Sequence, residues 1–511
     1  MGKLSIKEII TIVNKIETEF PVDKISYKGL KVWPIIRWLH TYKRKVFYKN
    51  TTNFKREKNN ILDRVKENIN TASKFIDNAY LHPIKSRLTD KQGHSPLGSS
   101  EVDVLAIVKN VDRNEYVDGK YFCRFIDSLF HFTKKNNSSI KTVEFTFAVP
   151  FKTPRYLPSS VVSPALATAF FKSLIISRFT IKSEEIAFLE EYLEYLNQLD
   201  KRLKINVNKQ IIIGELCKVL CYKKVFQEIL EATKPKTVVF SCYYTPGIFA
   251  ATLACNERNI PTIEVQHGQQ GDYHLMYTHW KSMPQEGYDL LPTHFWMWGE
   301  KSAARIREWA NKTQRHQVIL GGNPWVAFCS EYDVNITESD ILAFDKLIKN
   351  KPKKVLIAMQ YVEDFYNSCL IEAMREGGDD FLWLIRMHPR MLRYREEVEK
   401  FLKKNNCKNY ELTYANSLPV YYLFKKVNIQ ITFWSTVAYE GLAFGVHTIL
   451  IHRNGYDAMK AYVDENVFKY TENAQELISF IESGVFEKEK TPYILASSKL
   501  IQEEFSAILN V

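Results

Sequence analysis

No stretch of this chain runs for the roughly 18 to 20 uncharged apolar residues that a membrane-crossing helix needs. The start, Met1-Gly2-Lys3-Leu4-Ser5-Ile6-Lys7-Glu8, lacks the long apolar core of a secretory signal. Both absences point to the cytoplasm. The eight cysteines form no CxxC pair and no compact cluster with histidine, so they read as reduced, mostly buried thiols and not as a metal centre. The one close pair, Cys217 and Cys221, has the i,i+4 spacing of a helix face with no histidine beside it, so packing is the expected role. No Asp-x-Asp motif stands at a strand end, so neither a metal nor a resident cofactor is expected in the chemistry.

What is present is a large globular chain. Its 511 residues are 45% hydrophobic, enough for roughly two to four domains with cores of their own. The formal charge of +12 favours anionic partners: a nucleotide-activated donor, a phosphorylated acceptor, an anionic membrane or nucleic acid. Residues 1–89 read as a helical, basic region. There Trp33, Trp38, Tyr42 and Tyr48 interleave with Lys31, Arg37, Lys43, Arg44, Lys45 and Lys49, a pattern that suits residues 29–49 to an anionic membrane surface. Packing of Trp33 and Trp38 on the body of the protein is the competing reading. A linker belongs in the polar, breaker-rich stretch 90–100.

Beyond the linker, strands and helices alternate. Strands are expected at Val102–Val108, Thr142–Val149, Thr237–Ser241 and Pro261–Gln266, with a long helix over Ser183–Leu203. The rhythm resumes with strands at Lys354–Met359, Phe381–Arg386, Val427–Thr432 and His447–Ile451. The economical architecture is α/β: two facing Rossmann-like domains, GT-B-like, behind the helical N-terminal region. The expected division is 1–89, an acceptor domain 101–310, a nucleotide-donor domain 311–485 and a C-terminal helix 486–511.

Three apolar runs stop at polar residues suited to phosphate, ribose or proton transfer. His388-Pro389 ends one, flanked by Arg386 and Arg390; Pro389 keeps His388 out of helical geometry, and the arginines balance phosphate charge. Ser435-Thr436 follows another at a strand-to-helix turn, where hydroxyls and free amides favour an anion and Glu440 lies one helical turn on. Ordinary capping is compatible with that role. Gln266-His267-Gly268-Gln269-Gln270-Gly271-Asp272 ends a third, offering His267 as a general base, with Asp272 as its rival.

Taken in order with Gly321-Gly322-Asn323-Pro324, these motifs resemble the GT-B glycosyltransferases of bacterial surface-polysaccharide (capsule and lipopolysaccharide) assembly, over roughly residues 100 to 480. The nearest groups are the CMP-sugar (Kdo and sialyl) transferases and the teichoic-acid glycerophosphotransferases. The first resemblance implies that His388, Pro389, Ser435 and Thr436 hold the CMP moiety, and the second that His267 is catalytic. Trp434 stands where the sialyltransferase pattern has a small residue, and the acidic-acidic-Gly motif of that group is missing. The implied activity is metal-independent, inverting transfer from a nucleotide-sugar, CMP-sugar favoured, to a glycan or lipid-linked glycan acceptor. The alternatives are a CDP-polyol phosphotransferase, a sugar-nucleotide 2-epimerase, and a non-enzymatic membrane or nucleic-acid scaffold. No nucleic acid partner is expected for the enzyme, which would sit in the cytoplasm, peripheral on the inner face of the cytoplasmic membrane.

Overall fold

Buried parallel strands are continuous apolar runs, because helices cover both faces of the sheet they form. The computed structural model of the chain describes residues 6–41, 98, 100–133, 139–146, 150–179, 181–199, 207–268, 270, 274–360, 367–488 and 492–509. The chain divides into two units: Met1–Gly322 with Lys499–Val511, and Asn323–Ser498. The first unit therefore ends at Gly322 where the sequence reading placed 310, and it takes back the last residues of the chain.

The strands of the first unit are β1 (Ser26–Tyr27), β2 (Leu30–Lys31), β3 (Val104–Lys109), β4 (Glu115–Val117), β5 (Lys120–Phe122), β6 (Ile140–Phe145), β7 (Ser160–Val161), β8 (Ile186–Ala187), β9 (Thr237–Ser241), β10 (Thr262–Val265), β11 (His294–Trp296) and β12 (Gln317–Ile319). Seven of these form one sheet in the order β12-β11-β10-β9-β3-β6-β7, with every neighbouring pair parallel. The chain enters at β3, builds outward to β7, then returns to the other side of β3 with β9. That reversal between β3 and β9 is the topological switch point of a Rossmann-like sheet, beyond whose carboxyl edge ligands bind. β9 and β10 are buried at every residue.

The second unit repeats the plan. Its strands are β13 (Lys353–Ala358), β14 (Phe381–Arg386), β15 (Tyr410–Glu411), β16 (Ile429–Thr432), β17 (His447–Leu450) and β18 (Phe468–Tyr470). Their order is β15-β14-β13-β16-β17-β18, again all parallel, which places its switch point between β13 and β16. Each unit has its own apolar core. The α/β class with two Rossmann-like units, the make-up of a GT-B-like chain, is thus present.

The expected helix over Ser183–Leu203 is broken. A short 3-10 turn (Ser183–Glu185) leads into β8, which pairs antiparallel with β1, and only Leu189–Leu199 is helical. Phe188 takes a left-handed φ of 58° between strand and helix, which no continuous helix allows. Residues 200–206 lie outside the described residues.

The N-terminal region forms no separate body as far as it is described. Ile9, Val13, Ile16, Trp33, Ile36 and Leu39 belong to the core of the first unit. Glu17 accepts hydrogen bonds from Trp33 Nε1 (2.7 Å) and the Lys281 amide (2.6 Å) and pairs with Arg37, whose guanidinium also binds the carbonyls of Leu275 and Thr278. Trp33 and Arg37 are fully buried, which takes both out of reach of any lipid. The rest of the proposed lipid-facing segment, 42–49, and nearly all of the 90–100 linker lie outside the described residues. No described helix is long and apolar enough to cross a membrane. All eight cysteines are buried, Cys217 and Cys221 on the helix Lys209–Thr233.

Candidate active site

In the first unit the carboxyl edge of the sheet beside the switch point carries charge. Glu264 lies inside the buried strand β10 at 0% exposure, and a carboxylate in that position needs partners. Its Oε1 accepts from the Cys242 amide (3.1 Å) and the Tyr277 hydroxyl (2.5 Å), and lies 3.3 Å from His267 Nδ1. Its Oε2 is buried with no hydrogen-bond partner among the described residues. The Nδ1 contact places a proton on that nitrogen and directs Nε2 to the Tyr244 hydroxyl (2.9 Å), which also meets His274 Nε2 at 3.2 Å. His267 keeps 22% of its side chain exposed, so the ring is supported from behind and open in front.

Two further groups complete the cluster. Cys242 leaves β9 with a left-handed φ of 56°, turning the chain toward the helix Pro246–Asn256. Lys109, at the end of β3, lies 3.4 Å from Asp112, whose carboxylate accepts from Ser241 Oγ at 2.8 Å. Burial alone would push the Cys242 thiol up, but Lys109 and His267 outweigh it and hold the thiol below its ordinary value. Burial alone would pull His267 down; Cys242 and Glu264 outweigh it and lift the imidazole to about 9. The pair titrates together, with the ring cationic near neutral pH. Such an arrangement can hold one imidazole tautomer and pass a proton through Nε2.

Gln266 serves the turn. Its Oε1 accepts from the Trp298 amide (2.8 Å) and Ser302 Oγ (3.1 Å) while Nε2 donates to the Gly268 carbonyl (2.9 Å). Asp272, the rival base, lies outside the described residues.

In the second unit the predicted residues gather at the carboxyl edge of the sheet. His388 follows β14, and its Nδ1 accepts from the Arg390 amide at 3.2 Å, capping the 3-10 segment Pro389–Tyr394. Arg386 Nη1 donates to the carbonyls of Ala415 (2.8 Å) and Leu418 (2.6 Å), which ties one end of the guanidinium to that loop. Arg390 and Thr436 are exposed. Thr436 stands at the N-cap of the helix Val437–Leu442 without a capping hydrogen bond from its side chain, so the capping role weighed from sequence is not made there; Ser435 Oγ, one residue earlier, accepts from the Val437 amide at 3.4 Å. Glu440 accepts from the Tyr421 hydroxyl at 2.8 Å. Beside the switch point, Gln360 Oε1 accepts from the Trp434 amide (2.9 Å), and the Trp434 ring meets His452 edge to face at 4.8 Å.

Two glycine motifs are structural. Any side chain on Gly321 would enter the Trp296 ring, Gly322 has φ 78°, and Asn323 caps the helix Pro324–Glu331. Gly441 has no room for a Cβ because Gln430 Nε2 fills that space.

No family model matches the chain, and no curated protein matches it. Among solved structures it is similar to the UDP-GlcNAc 2-epimerase of Neisseria meningitidis, at 16% identity and a TM-score of 0.47, over 79% of this chain and 99% of that one. It is similar also to the UDP-GlcNAc 2-epimerase of Methanocaldococcus jannaschii, at 12% and 0.49 over 80% and 100%. A third likeness is to the wall teichoic acid polymerase TagF, at 11% and 0.37 over 88% and 92%. These likenesses are loose, and the fold assignment stands on the strand orders of the two sheets.

The sequence singled out His267 but missed Glu264, Tyr244, Tyr277, Cys242 and Lys109. A signal existed: Glu264 interrupts an apolar strand, and a charge there is almost never buried without a partner.

Proposed function

We propose that the chain is a nucleotide-sugar-dependent enzyme that transfers a glycosyl group, from a CMP-sugar by preference, to a hydroxyl of a surface-glycan acceptor. The observation that carries this reading is the contact of buried Glu264 with His267 Nδ1 at 3.3 Å, at the carboxyl end of β10, the strand next to the switch point of the first unit. In its neutral form the imidazole accepts the acceptor's proton at Nε2 as the hydroxyl oxygen attacks the activated carbon. The bond from that carbon to the donor phosphate breaks, and the nucleotide leaves with the electron pair. Glu264 holds the tautomer and steadies the imidazolium that forms, the role of the carboxylate in a carboxylate-histidine pair. In this reading the second unit holds the nucleotide, with Arg386, His388, Pro389, Arg390, Ser435 and Thr436 serving the phosphate and Glu440 the ribose hydroxyls. The resemblance to CMP-sugar transferases supports the choice of base.

The test is a thermal-shift screen against CMP, CDP, UDP and GDP and their sugar or polyol conjugates, with His388→Ala and His267→Ala. Ligand binding to the native state raises the melting temperature. A shift by cytidine nucleotides, lost in His388→Ala and kept in His267→Ala, with transfer abolished by the latter, is the expected outcome. A shift by UDP-GlcNAc with sugar isomerised in the absence of acceptor would replace transfer by epimerisation. No shift with any nucleotide would remove the enzyme reading.

A further inference from the structure

A base that takes a proton must lose it before it can act again, and the hydrogen bond at His267 Nε2 leads away from the ring. Tyr244 lies between β9 and the helix Pro246–Asn256 and is 2% exposed, so its phenol does not reach an acceptor itself. Its hydroxyl is 2.9 Å from His267 Nε2 and 3.2 Å from His274 Nε2. His267 keeps 22% of its side chain exposed, and His274 is half-buried. One buried hydroxyl thus joins two partly open imidazoles.

The joint is held in place. The Tyr244 ring meets Tyr243 and Tyr277 edge to face at 5.4 and 5.6 Å. The His274 carbonyl accepts from the amides of Tyr277 (2.9 Å) and Thr278 (3.1 Å), and its ring meets Tyr277 at 4.7 Å. Tyr277 is no rival bridge, because its own hydroxyl donates to Glu264 at 2.5 Å. Cys242 also meets the His267 ring, but its thiol is buried and offers no way out. A phenol carries a single hydrogen, so the state of one imidazole constrains the other. When His267 Nε2 is protonated it donates to the Tyr244 oxygen, the phenolic hydrogen turns to His274 Nε2, and His274 is held with its proton on Nδ1.

We propose that Tyr244 and His274 form a proton relay with His267, carrying the acceptor's proton from the transfer site to water. The inference rests on the transfer reading for the source of that proton and on the hydrogen bonds for its path. With the phenolic hydrogen on the His274 side, His267 Nε2 is open to the acceptor hydroxyl and takes its proton. The Nε2–H bond of His267 then breaks as an O–H bond forms on Tyr244, while the original O–H bond breaks and an N–H bond forms at His274 Nε2. His274, now cationic, gives the Nδ1 proton to water, and His267 is neutral again. Rotation of the phenolic hydrogen and tautomer exchange at the half-open His274 ring reset the path.

Two measurements separate the path from the reaction it serves. Histidine side-chain NMR of the full chain reads both rings through a pH titration. His274 is expected to become the Nδ1–H tautomer over the same pH range in which His267 gains its charge. Tyr244→Phe, which keeps the ring and removes the hydroxyl, is expected to abolish that link. A His274 tautomer indifferent to His267 in the parent would overturn the proposal whatever the chain catalyses. In the transfer assay, Tyr244→Phe and His274→Ala are expected to lower kcat roughly tenfold or more, with the nucleotide-induced thermal shift kept. Added imidazole is expected to restore most of the loss in His274→Ala, as it would not for a residue that merely packs. Unchanged kcat in both variants, or a loss in His274→Ala that imidazole leaves untouched, would overturn the relay. Linked tautomers in a chain that transfers nothing would instead remove the transfer reading and leave the path standing.

Discussion

At the scale of the residue, His267 sets a pH dependence whose sign follows from the groups around it, Cys242 first and then Glu264. His267 is lifted to about 9, so the neutral ring that can accept a proton grows with rising pH. With His267 as base, kcat/KM rises with pH and levels off above about 9. Glu264→Gln removes a negative charge that favours the cationic ring, so the pKa falls and the rising limb moves to lower pH. The plateau falls as well, because an amide no longer fixes the tautomer with a charged acceptor; loss of such a carboxylate costs orders of magnitude in kcat in the well-studied triads. A pH-rate profile of both proteins checks this, and an unmoved limb would make Glu264 a purely structural group. The same scale shows what sequence could read. His267 stood out because an imidazole follows an apolar strand. Arg386 stood out equally, and the structure adds that its Nη1 donates to the carbonyls of Ala415 and Leu418, contacts that no local pattern contains.

At the scale of the element, strand positions were legible because buried parallel strands are unbroken apolar runs. Thr237–Ser241 and Phe381–Arg386 match residue for residue, β13 is shifted by one residue at both ends, and β17 is one residue shorter at its end than expected. The helix over Ser183–Leu203 was misread because β8 pairs with β1 some 160 residues earlier in the chain, a contact that local periodicity does not contain. Element packing also shapes the candidate nucleotide site. Gly455, early in the helix Arg453–Ala458, lies so close to the Phe433 carbonyl oxygen that a Cβ there would overlap backbone. Phe433 leads directly into Trp434, Ser435 and Thr436. Gly455→Ala must therefore move one backbone against the other, at about 1–3 kcal/mol for an overpacked site. The expected result is a lowered urea midpoint together with a weakened nucleotide-induced thermal shift. Loss of stability with the shift intact would separate this packing from the site.

At the scale of the whole molecule, the chain leaves the first unit at Gly322 and returns to it at Lys499. The sequence reading had the last segment as a helix but gave it no partner, since nothing in a local pattern states which core a terminal helix joins. The structure assigns it through Ile501 and Phe505, both fully buried. The Phe505 ring meets Phe130 at 5.9 Å and Trp296 at 6.3 Å, each edge to face. Trp296 ends β11, lies where a Cβ on Gly321 would be, and donates from Nε1 to the Gly322 carbonyl at 2.8 Å. One indole thus joins the exit of the chain to its return. Phe505→Ala removes a buried ring from that junction, and truncations of this kind cost about 3–5 kcal/mol. Hydrogen exchange is expected to quicken in β11 and in the helix Ile126–Thr133, which carries Phe130. If exchange in both elements stays at its parental rate, the terminal helix contributes nothing to that core, and the return of the chain to the first unit has no energetic meaning.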